Sequence, residues 1–237
     1  MIIYHLRQII RDIFLYFGNP GGVFKFSPQH EKLIEYGPYK EIIHVGANIG
    51  QELSLYNYLQ TQKVYWVEAD DHATKILRLR CMLYRKINHV IIKEFLSDLS
   101  GKEVNFYKFS KSGANSMFEP TEEFLKIDRK RYVIESTKKT TLSFEDMMNR
   151  YELNFPNDNN LLVLDVQGNE KSILKGISTS TIAKFRIIMC EFSIGQYDNG
   201  VSVDELDIYI TNLGFKKVFG PIRSSDDAIY ERIDSHN

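Results

Sequence analysis

A glycine-rich segment and a carboxylate about twenty residues after it are the features of this chain that point most directly to chemistry. The segment Gly46-Ala47-Asn48-Ile49-Gly50 follows an apolar run that ends at Val45, and Glu68 follows a second apolar run, Val64 to Val67. A strand, a glycine-rich turn, a helix and a second strand ending in an acid open the nucleotide-binding α/β folds. The acid in such a unit accepts hydrogen bonds from ribose hydroxyls. The spacing therefore predicts a site for a nucleoside-containing cofactor.

The composition of the turn indicates which cofactor this is. Dinucleotide sites have the pattern G-x-G-x-x-G, whose second glycine lets the backbone approach a pyrophosphate. Here Asn48 occupies that second position, and Gly50 follows two residues later. A side chain there would crowd a pyrophosphate but not S-adenosylmethionine (SAM), which carries a ribose and no phosphate. We expect Gly46, Asn48, Gly50 and Glu68 to bind SAM, with helix N–H groups meeting its carboxylate; the alternatives are an ordinary turn and a solvated acid.

Two further carboxylates lie near the ends of apolar segments. Asp165 belongs to the run 161–166, and Glu191 lies near the end of the predicted strand 185–192. A buried acid at the carboxyl end of a parallel strand is costly unless it is paired or used, and this is where open α/β sheets bind ligands. We expect Asp165 to orient or deprotonate an acceptor, with Glu191 facing the same cleft; a structural hydrogen bond is the alternative. A divalent cation between them is not favoured because the ligand set is incomplete.

His44 is a third catalytic candidate because it lies beside the glycine-rich turn. A histidine in the middle of a strand is more often a satisfied structural residue, and that interpretation stays open.

Alternating apolar and helical patterns predict one doubly wound α/β domain with a mostly parallel sheet. Extended segments are predicted at 41–45, 63–68, 90–96, 104–109, 131–141, 161–166, 185–192, 215–219 and 228–233. Helices are predicted at 31–36, 50–59, 72–86, 143–151 and 203–213. Residues 1–36 form a predicted N-terminal helical extension, and residues 37–237 form the domain.

The extension begins with an amphipathic pattern over residues 1–18 that is too short and too charged to span a membrane. It is expected to pack on the domain or on a second subunit as a homodimer contact; the alternative is a helix on the inner face of a membrane. The chain has two cysteines, Cys81 and Cys190, without disulfide or metal spacing, which favours a reducing, cytoplasmic compartment.

The charge balance argues against a nucleic-acid partner. There are 30 basic and 31 acidic residues, for a net charge of −1. One basic cluster is present, and it is interpreted as a solvated face, with an anionic acceptor as the alternative; its residues are Lys126, Arg129, Lys130, Arg131, Lys138 and Lys139.

A set of motifs in a fixed order resembles the FkbM-type methyltransferases. It covers about residues 41–233 and comprises HVGANIGQE, VYWVEAD, LSD, SGANS, TTLSFED, LLVLDVQGNEKSILKG, IIMCEFS and DDAIYERI. The resemblance implies a class I SAM-dependent methyltransferase fold, Rossmann-like, with seven strands of which the last is antiparallel. It also implies O-methylation, often of a sugar or another secondary-metabolite hydroxyl. Two positions depart from the family pattern: His44 stands where many members have an acid, and Gln167 stands where many have Glu.

The resemblance also suggests further site residues. Asp98, after Ser97, matches the family position that holds the adenine amino group, although it could instead cap the turn at 99–101. Asn115 and Ser116 match a family loop near the cofactor and are expected to line the acceptor site, unless they form a plain polar loop. Gln167 and, by position alone, Tyr197 are added to that acceptor-binding set.

These features together predict a SAM-dependent O-methyltransferase that acts on a hydroxyl of a glycan or small polar metabolite. One alternative is an NAD-linked oxidoreductase, which would need the third glycine and a pair such as Tyr-x-x-x-Lys, and neither is present. The other is a non-catalytic SAM-binding or partner-docking module held through its N-terminal helix.

Overall fold

A mostly parallel seven-stranded sheet organises the part of the chain that the computed structural model describes, namely residues 26–110, 112–127, 132–155, 158–192, 196–197, 201–220 and 227–233. Its strands are β1 (Glu41–Val45), β2 (Lys63–Val67), β3 (Asn88–Ile92), β7 (Asn160–Leu164), β8 (Phe185–Glu191), β9 (Phe215–Phe219) and β10 (Asp227–Arg232). They lie in the order β3-β2-β1-β7-β8-β10-β9, and only β10 runs antiparallel to its neighbours. This arrangement confirms the predicted fold class.

Helices cover both faces of the sheet, which explains why its central strands are apolar throughout. The helices are α1 (Pro28–Tyr36), α2 (Leu53–Tyr58), α3 (Asp71–Cys81), α4 (Glu122–Ile127), α5 (Phe144–Arg150), α6 (Glu170–Lys175), α7 (Thr179–Ile182) and α8 (Val203–Asn212). All five residues of β7 are buried, as expected for a parallel strand between two helical layers. Side chains of α1 to α3 pack in one core cluster, and those of α5 to α8 pack in the other.

Local sequence sets where several of these helices begin. Asp70, Ser143, Ser178 and Ser202 each accept a hydrogen bond from a backbone N–H in the first turn, at the starts of α3, α5, α7 and α8. Such caps satisfy N–H groups that have no partner inside the helix.

The predicted strand 90–96 is wrong because the chain changes sheets within it. β3 ends at Ile92, and β4 (Phe95–Ser97) pairs instead with β6 (Val133–Ser143). β6 also pairs antiparallel with β5 (Glu103–Phe109), so a second sheet has the order β4-β6-β5. Periodicity could not locate this crossing, since both pieces are apolar and only two residues separate them.

Two boundaries beside the glycine-rich turn and after β7 also differ from the prediction. The helix expected from residue 50 begins at Leu53, because Asn48 and Gly50 have φ values of 45° and 71° that no α-helix accommodates. The strand expected to continue to Val166 ends at Leu164, which makes Asp165 the first residue after it.

The N-terminal extension is described only from residue 26. Leu33 of α1 is buried in the core cluster of α2 and α3, so α1 packs as part of the domain. Residues 1–25, with the predicted amphipathic helix, lie outside the described residues. Among the helices that are described, none combines the length and the hydropathy needed to cross a membrane.

Candidate functional site

Strand register brings the main candidate residues into one row at the carboxyl edge of the sheet. Four neighbouring strands align, in order, Val67, Val45, Leu164 and Cys190. The residues that directly follow these are Glu68, Gly46, Asp165 and Glu191. All four line a single cleft. Candidates that are up to 145 positions apart in the sequence are therefore neighbours, because parallel strands end at the same edge.

The glycine-rich turn depends on two close approaches. A Cβ atom on Gly46 would lie 1.7 Å from the carbonyl oxygen of Asp165, and one on Gly50 would lie 2.6 Å from Cδ1 of Leu77. Both glycines have positive φ, at 83° and 71°, which side chains rarely adopt. Asn48 adopts a φ of 45° between them, a conformation that asparagine tolerates better than most residues. The turn therefore brings bare backbone to the cleft.

Glu68 is held by two backbone N–H groups at the end of β2. Asn48 N donates to Oε2 and Asp70 N donates to Oε1, each over 2.7 Å. Burial raises the pKa of Glu68 to about 7, although these two hydrogen bonds favour the charged form. Since an ionised carboxylate has about four acceptor positions, each oxygen of Glu68 can accept one more hydrogen bond. Two adjacent ribose hydroxyls match that capacity.

Asp165 and Glu191 are joined through the amide of Gln167. Nε2 of Gln167 donates to Oδ1 of Asp165 over 3.0 Å and also donates to Oε2 of Glu191. Its Oε1 accepts from the hydroxyl of Tyr197 over 2.9 Å. Burial and the adjacent Asp165 raise the pKa of Glu191 well above its usual range. Burial and the adjacent carboxyl group therefore favour the protonated form of Glu191.

The interior beneath the cleft is acidic. Burial raises the pKa of Glu52 to about 8 and the pKa of Glu170 to about 7. Glu170 uses Oε1 to accept from the N–H groups of Val166 and Gly168, so it shapes the loop after β7. A cation bound nearby would favour the ionised forms of these carboxyl groups, so their ionisation and the binding of a cationic ligand are coupled.

His44 lies in the core instead of the cleft. Its ring packs near Tyr56 and Trp66, with centroids 6.0 and 5.6 Å away, and Nδ1 is hydrogen-bonded to the Tyr56 hydroxyl at 2.9 Å. Burial lowers the pKa of His44 to about 4, so the ring is neutral at pH 7. Because His44 does not line the cleft, this geometry gives it no access to an acceptor.

Ser97 and Asp98 are not brought to the cleft either. Ser97 is buried in β4, and Asp98 faces Lys102, with 3.5 Å between Oδ1 and Nζ. The reason is the crossing between the two sheets, which takes the chain past the cleft earlier, at Glu94, Phe95 and Leu96.

Asn115 and Ser116 line the cleft and also hold its wall together. Nδ2 of Asn115 donates to Oδ2 of Asp70 over 3.0 Å, and Oγ of Ser116 donates to the carbonyl oxygen of Gln167 over 2.8 Å. Tyr197 does not line the cleft, but its hydroxyl donates to Oε1 of Gln167, which does. Residue 198 lies outside the described residues.

The predicted basic cluster does not form one surface in the described residues. Lys126 and Lys138 pair with Glu122 and Glu103, over 3.0 and 3.5 Å. Lys139 donates to the carbonyl oxygen of Ala69, a cleft residue, over 2.8 Å. The cluster's other members, residues 129–131, lie outside the described part of the chain.

Some cleft residues were missed by sequence reasoning. They are Gln51, Glu94, Phe95, Phe106 and Asn169. Asn169 could have been found, since it lies in the turn after β7 as Asn48 lies in the turn after β1. Phe106 gave no signal, because only the pairing of β5 with β6 places it opposite the main sheet.

Three buried polar atoms in the cleft residues have no hydrogen-bond partner among the described residues. They are Nδ2 and Oδ1 of Asn48 and Oδ1 of Asn169. Buried polar groups are nearly always paired, so these atoms indicate a polar ligand. A nucleoside cofactor fits them, together with Glu68. Across the described residues, no group of three or more His, Cys, Asp or Glu side chains is placed to hold a metal ion.

Comparison with known proteins gives one family. The model of the methyltransferase FkbM domain matches residues 44–217. No curated protein matches the chain significantly. A crystal structure of methyltransferase FkbM from Methylobacillus flagellatus KT shares the fold, with a TM-score of 0.51 and 14% identity over 93% of this chain and 47% of that one. The chain thus spans about half the length of that protein.

Two other solved structures give lower TM-scores. A TehB-like SAM-dependent methyltransferase from Corynebacterium glutamicum gives a TM-score of 0.45 at 10% identity, over 98% of this chain and 100% of that one. M. jannaschii TYW2 in complex with AdoMet gives a TM-score of 0.41 at 12% identity, over 89% of this chain and 80% of that one.

Proposed function

Since the chain belongs to the FkbM methyltransferase family, we propose that it transfers a methyl group from SAM to a hydroxyl of a glycan or small polar metabolite. One observation carries this proposal: the row formed by Glu68, Gly46, Asp165 and Glu191 at the carboxyl edge of the sheet. The row combines a nucleoside-binding half with a half suited to proton transfer. We expect the reaction to take place in the cytoplasm, without a nucleic-acid partner and without a divalent cation.

The nucleoside-binding half consists of the turn and Glu68. Bare backbone at Gly46 and the unpartnered amide of Asn48 would receive the amino-acid part of SAM, and Glu68 would accept from the ribose hydroxyls. Phe95 and Phe106, whose ring centroids are 5.7 Å apart, add apolar surface to the same cleft. When bound, SAM supplies an activated methyl group on a cationic sulfonium. That positive charge would favour the ionised forms of the buried carboxyl groups near the cleft.

The proton-transfer half consists of Asp165 and Glu191. A hydroxyl acceptor loses its proton as its oxygen bonds to the methyl carbon, so a carboxylate within reach must accept that proton. Burial and the neighbouring carboxyl group raise the pKa of Glu191, which makes Glu191 the weaker candidate for the base. We therefore assign the role of base to Asp165, which lines the cleft and accepts a hydrogen bond from Gln167. Gln167 fixes both carboxyl groups with one amide, so that the acceptor meets a rigid polar surface.

A polar acceptor rich in hydroxyls fits the lining of this half. Carboxylates and amides at the cleft, Asp165, Glu191 and Gln167 among them, hydrogen-bond to hydroxyl groups and offer little surface to an apolar molecule. This lining supports a glycan or a small polar metabolite as acceptor.

Titration and turnover together test the proposal. We expect calorimetry to show SAM binding to the full-length chain and a loss of that binding in Glu68→Ala. Radiolabelled SAM incubated with pools of mono- and oligosaccharides should then transfer label with the wild type and not with Asp165→Asn.

Other results would favour the alternatives. SAM binding without transfer to any pool would favour a non-catalytic SAM-binding module. NAD binding in place of SAM would favour an oxidoreductase and contradict the proposal.

A further inference from the structure

The outer face of α3 and of the turn after it carries four exposed cations. They are Lys75, Arg78, Arg85 and Lys86, and they lie from the middle of the helix to the turn after it. None of the four forms an ion pair with any described residue. The nearest acid on the same helix, Asp71, is paired with Lys93 at 3.1 Å. This outer face is therefore a local positive surface on a chain whose net charge is only −1.

Large apolar side chains lie among these cations. Leu79 and Met82 are 59% and 62% exposed. The spacing of Lys75, Arg78, Leu79 and Met82 is i, i+3, i+4 and i+7, so all four project from one side of the helix. The opposite side is buried: Leu77 is fully covered and Arg80 donates to the carbonyl oxygen of Ile49 over 2.6 Å. The buried side of α3 thus packs against the core, whereas Leu79 and Met82 on the other side face outward.

The described chain begins beside this surface. The ring of Phe26, the first described residue, packs on Tyr58 with 5.1 Å between centroids. Tyr58 borders the same depression as Lys86. The described chain therefore begins, at residue 26, near Lys86 at one edge of this face.

We propose that the outer face of α3, defined by Lys75, Arg78, Leu79, Met82, Arg85 and Lys86, docks on the surface of an anionic lipid bilayer. Cations attract the negatively charged headgroups, and Leu79 and Met82 enter the boundary between headgroups and acyl chains. This surface is separate from the cofactor cleft and does not depend on methyl transfer.

The docked orientation leaves the cleft open. α3 begins two residues after the cleft residue Ala69, and Met82 lies roughly 16 Å further along the helix, at 1.5 Å per residue. None of the six residues that define the outer face lines the cleft, so docking through them uses no cleft residue. Bound in this way, the domain would present its cleft to acceptors near the membrane.

The composition of the face favours lipid over single-stranded nucleic acid. Nucleic-acid sites stack bases on exposed aromatic rings placed between cations. On the outer face of α3 the exposed apolar residues are aliphatic, and the aromatic residue in this stretch, Tyr84, is buried.

Vesicle co-sedimentation of the full-length chain tests the proposal. We expect binding to vesicles of phosphatidylcholine mixed with phosphatidylserine, little binding to phosphatidylcholine alone, and release at high salt. Arg78→Glu with Arg85→Glu should weaken binding at least about tenfold, since two attractive charges become repulsive. Leu79→Ser with Met82→Ser should weaken it as well.

Matched controls lie outside α3 and the turn after it. Lys175→Glu with Lys184→Glu makes the same change in net charge at two exposed lysines, and Leu99→Ser with Ile208→Ser removes two apolar residues that are 55% and 62% exposed. Both controls should bind vesicles like the wild type, and circular dichroism should show all variants folded.

Several results would overturn the proposal. These are no binding of the wild type to anionic vesicles, equal losses in the α3 and control variants, or wild-type vesicle binding by both α3 variants. Binding of single-stranded RNA that is lost with Arg78→Glu and Arg85→Glu, without any vesicle binding, would assign the face to nucleic acid instead.

Discussion

The carbonyl oxygen of Asp165 occupies the space where Gly46 would otherwise carry a side chain, only 1.7 Å from the position that a Cβ atom would take. The turn after β1 and the first residue after β7 are thus packed backbone to backbone. This contact fixes the distance between the proposed cofactor turn and the proposed base. One glycine therefore serves both halves of the cleft.

Gly46→Ala is expected to destabilise the fold by more than about 3 kcal/mol, because it adds a steric clash to the strain of a positive φ, itself worth about 1–3 kcal/mol. Gly101 is a matched control, since its φ is also 83° but nothing lies within 4 Å of a Cβ there. Gly101→Ala should lower the free energy of unfolding only by the cost of the strained backbone, since no clash is added there. Urea unfolding of both variants measures the difference, and equal losses would mean that the approach of Asp165 is unimportant.

Glu68→Gln is expected to weaken SAM binding at least tenfold, or about 1.4 kcal/mol. The amide replaces one acceptor oxygen by an NH₂ group that faces a backbone N–H, at Asn48 or at Asp70. Glu103→Gln, an exposed change of the same kind on β5, should leave binding unchanged. Isothermal titration of SAM into the two variants and the wild type gives the comparison.

The stability of the ligand-free protein should fall as the pH rises from about 4.5 through about 7. The folded-state pKa of Glu68 is raised from 4.5 to about 7, so its stabilising contribution is fully present below 4.5 and is lost through 7. Glu68→Gln removes this titrating group. Over the same pH range, the free energy of unfolding of the variant should therefore fall by less than that of the wild type, by on the order of 1–3 kcal/mol. Urea unfolding at pH 5 and about pH 8 tests this, and an identical slope in wild type and variant would contradict it.

His44 makes the stability of the protein depend on pH in the opposite direction, and it does so at lower pH. Its pKa falls from 6.5 to about 4 on burial, so its contribution is present above 6.5 and is lost as the pH falls through 4. The pH at which stability is greatest should therefore move upward in Glu68→Gln.

Asp165→Asn and Glu191→Gln should separate the two carboxyl groups. Gln resembles a protonated Glu191 and should retain most of the turnover, whereas removing the base at Asp165 should cost about 10²–10⁴-fold in kcat. SAM affinity should stay close to that of the wild type in both. Single-turnover transfer of labelled methyl measures this, and the reverse order of effects would make Glu191 the base.

Gln167→Glu should lower the melting temperature, and more at pH 8 than at pH 6. The change replaces the bridging donor by a third carboxylate between Asp165 and Glu191. Gln60→Glu is the control, since Gln60 is exposed and has a φ of 54°, against 56° for Gln167. If Gln167→Glu and Gln60→Glu lower the melting temperature equally at both pH values, the amide of Gln167 does not hold Asp165 and Glu191 together.

Much of the fold could be predicted from residue patterns. The run at 161–164 is apolar at every position, and this identifies a strand covered on both faces without knowledge of its neighbours. The turn at Gly46 and the acid at Glu68 are identifiable for a similar reason, since positive φ and strand-end position leave marks within a few residues. The crossing between Ile92 and Phe95 leaves no such mark, so the pattern there predicts one strand where the structure has two.

The sequence by itself determined where the glycine-rich turn and the central parallel strands β1, β2, β7 and β8 lie, because local patterns of apolar residues and glycine mark them. It did not determine which of the later candidates reach the cleft. His44 and Asp98 have suitable chemistry and spacing, yet packing against Tyr56 and the crossing into the second sheet turn them away. Asn169 and Phe106 reach the cleft through pairings with distant segments. Tertiary structure decided these positions because strand pairing and burial act between residues far apart in the chain, and no local pattern encodes them.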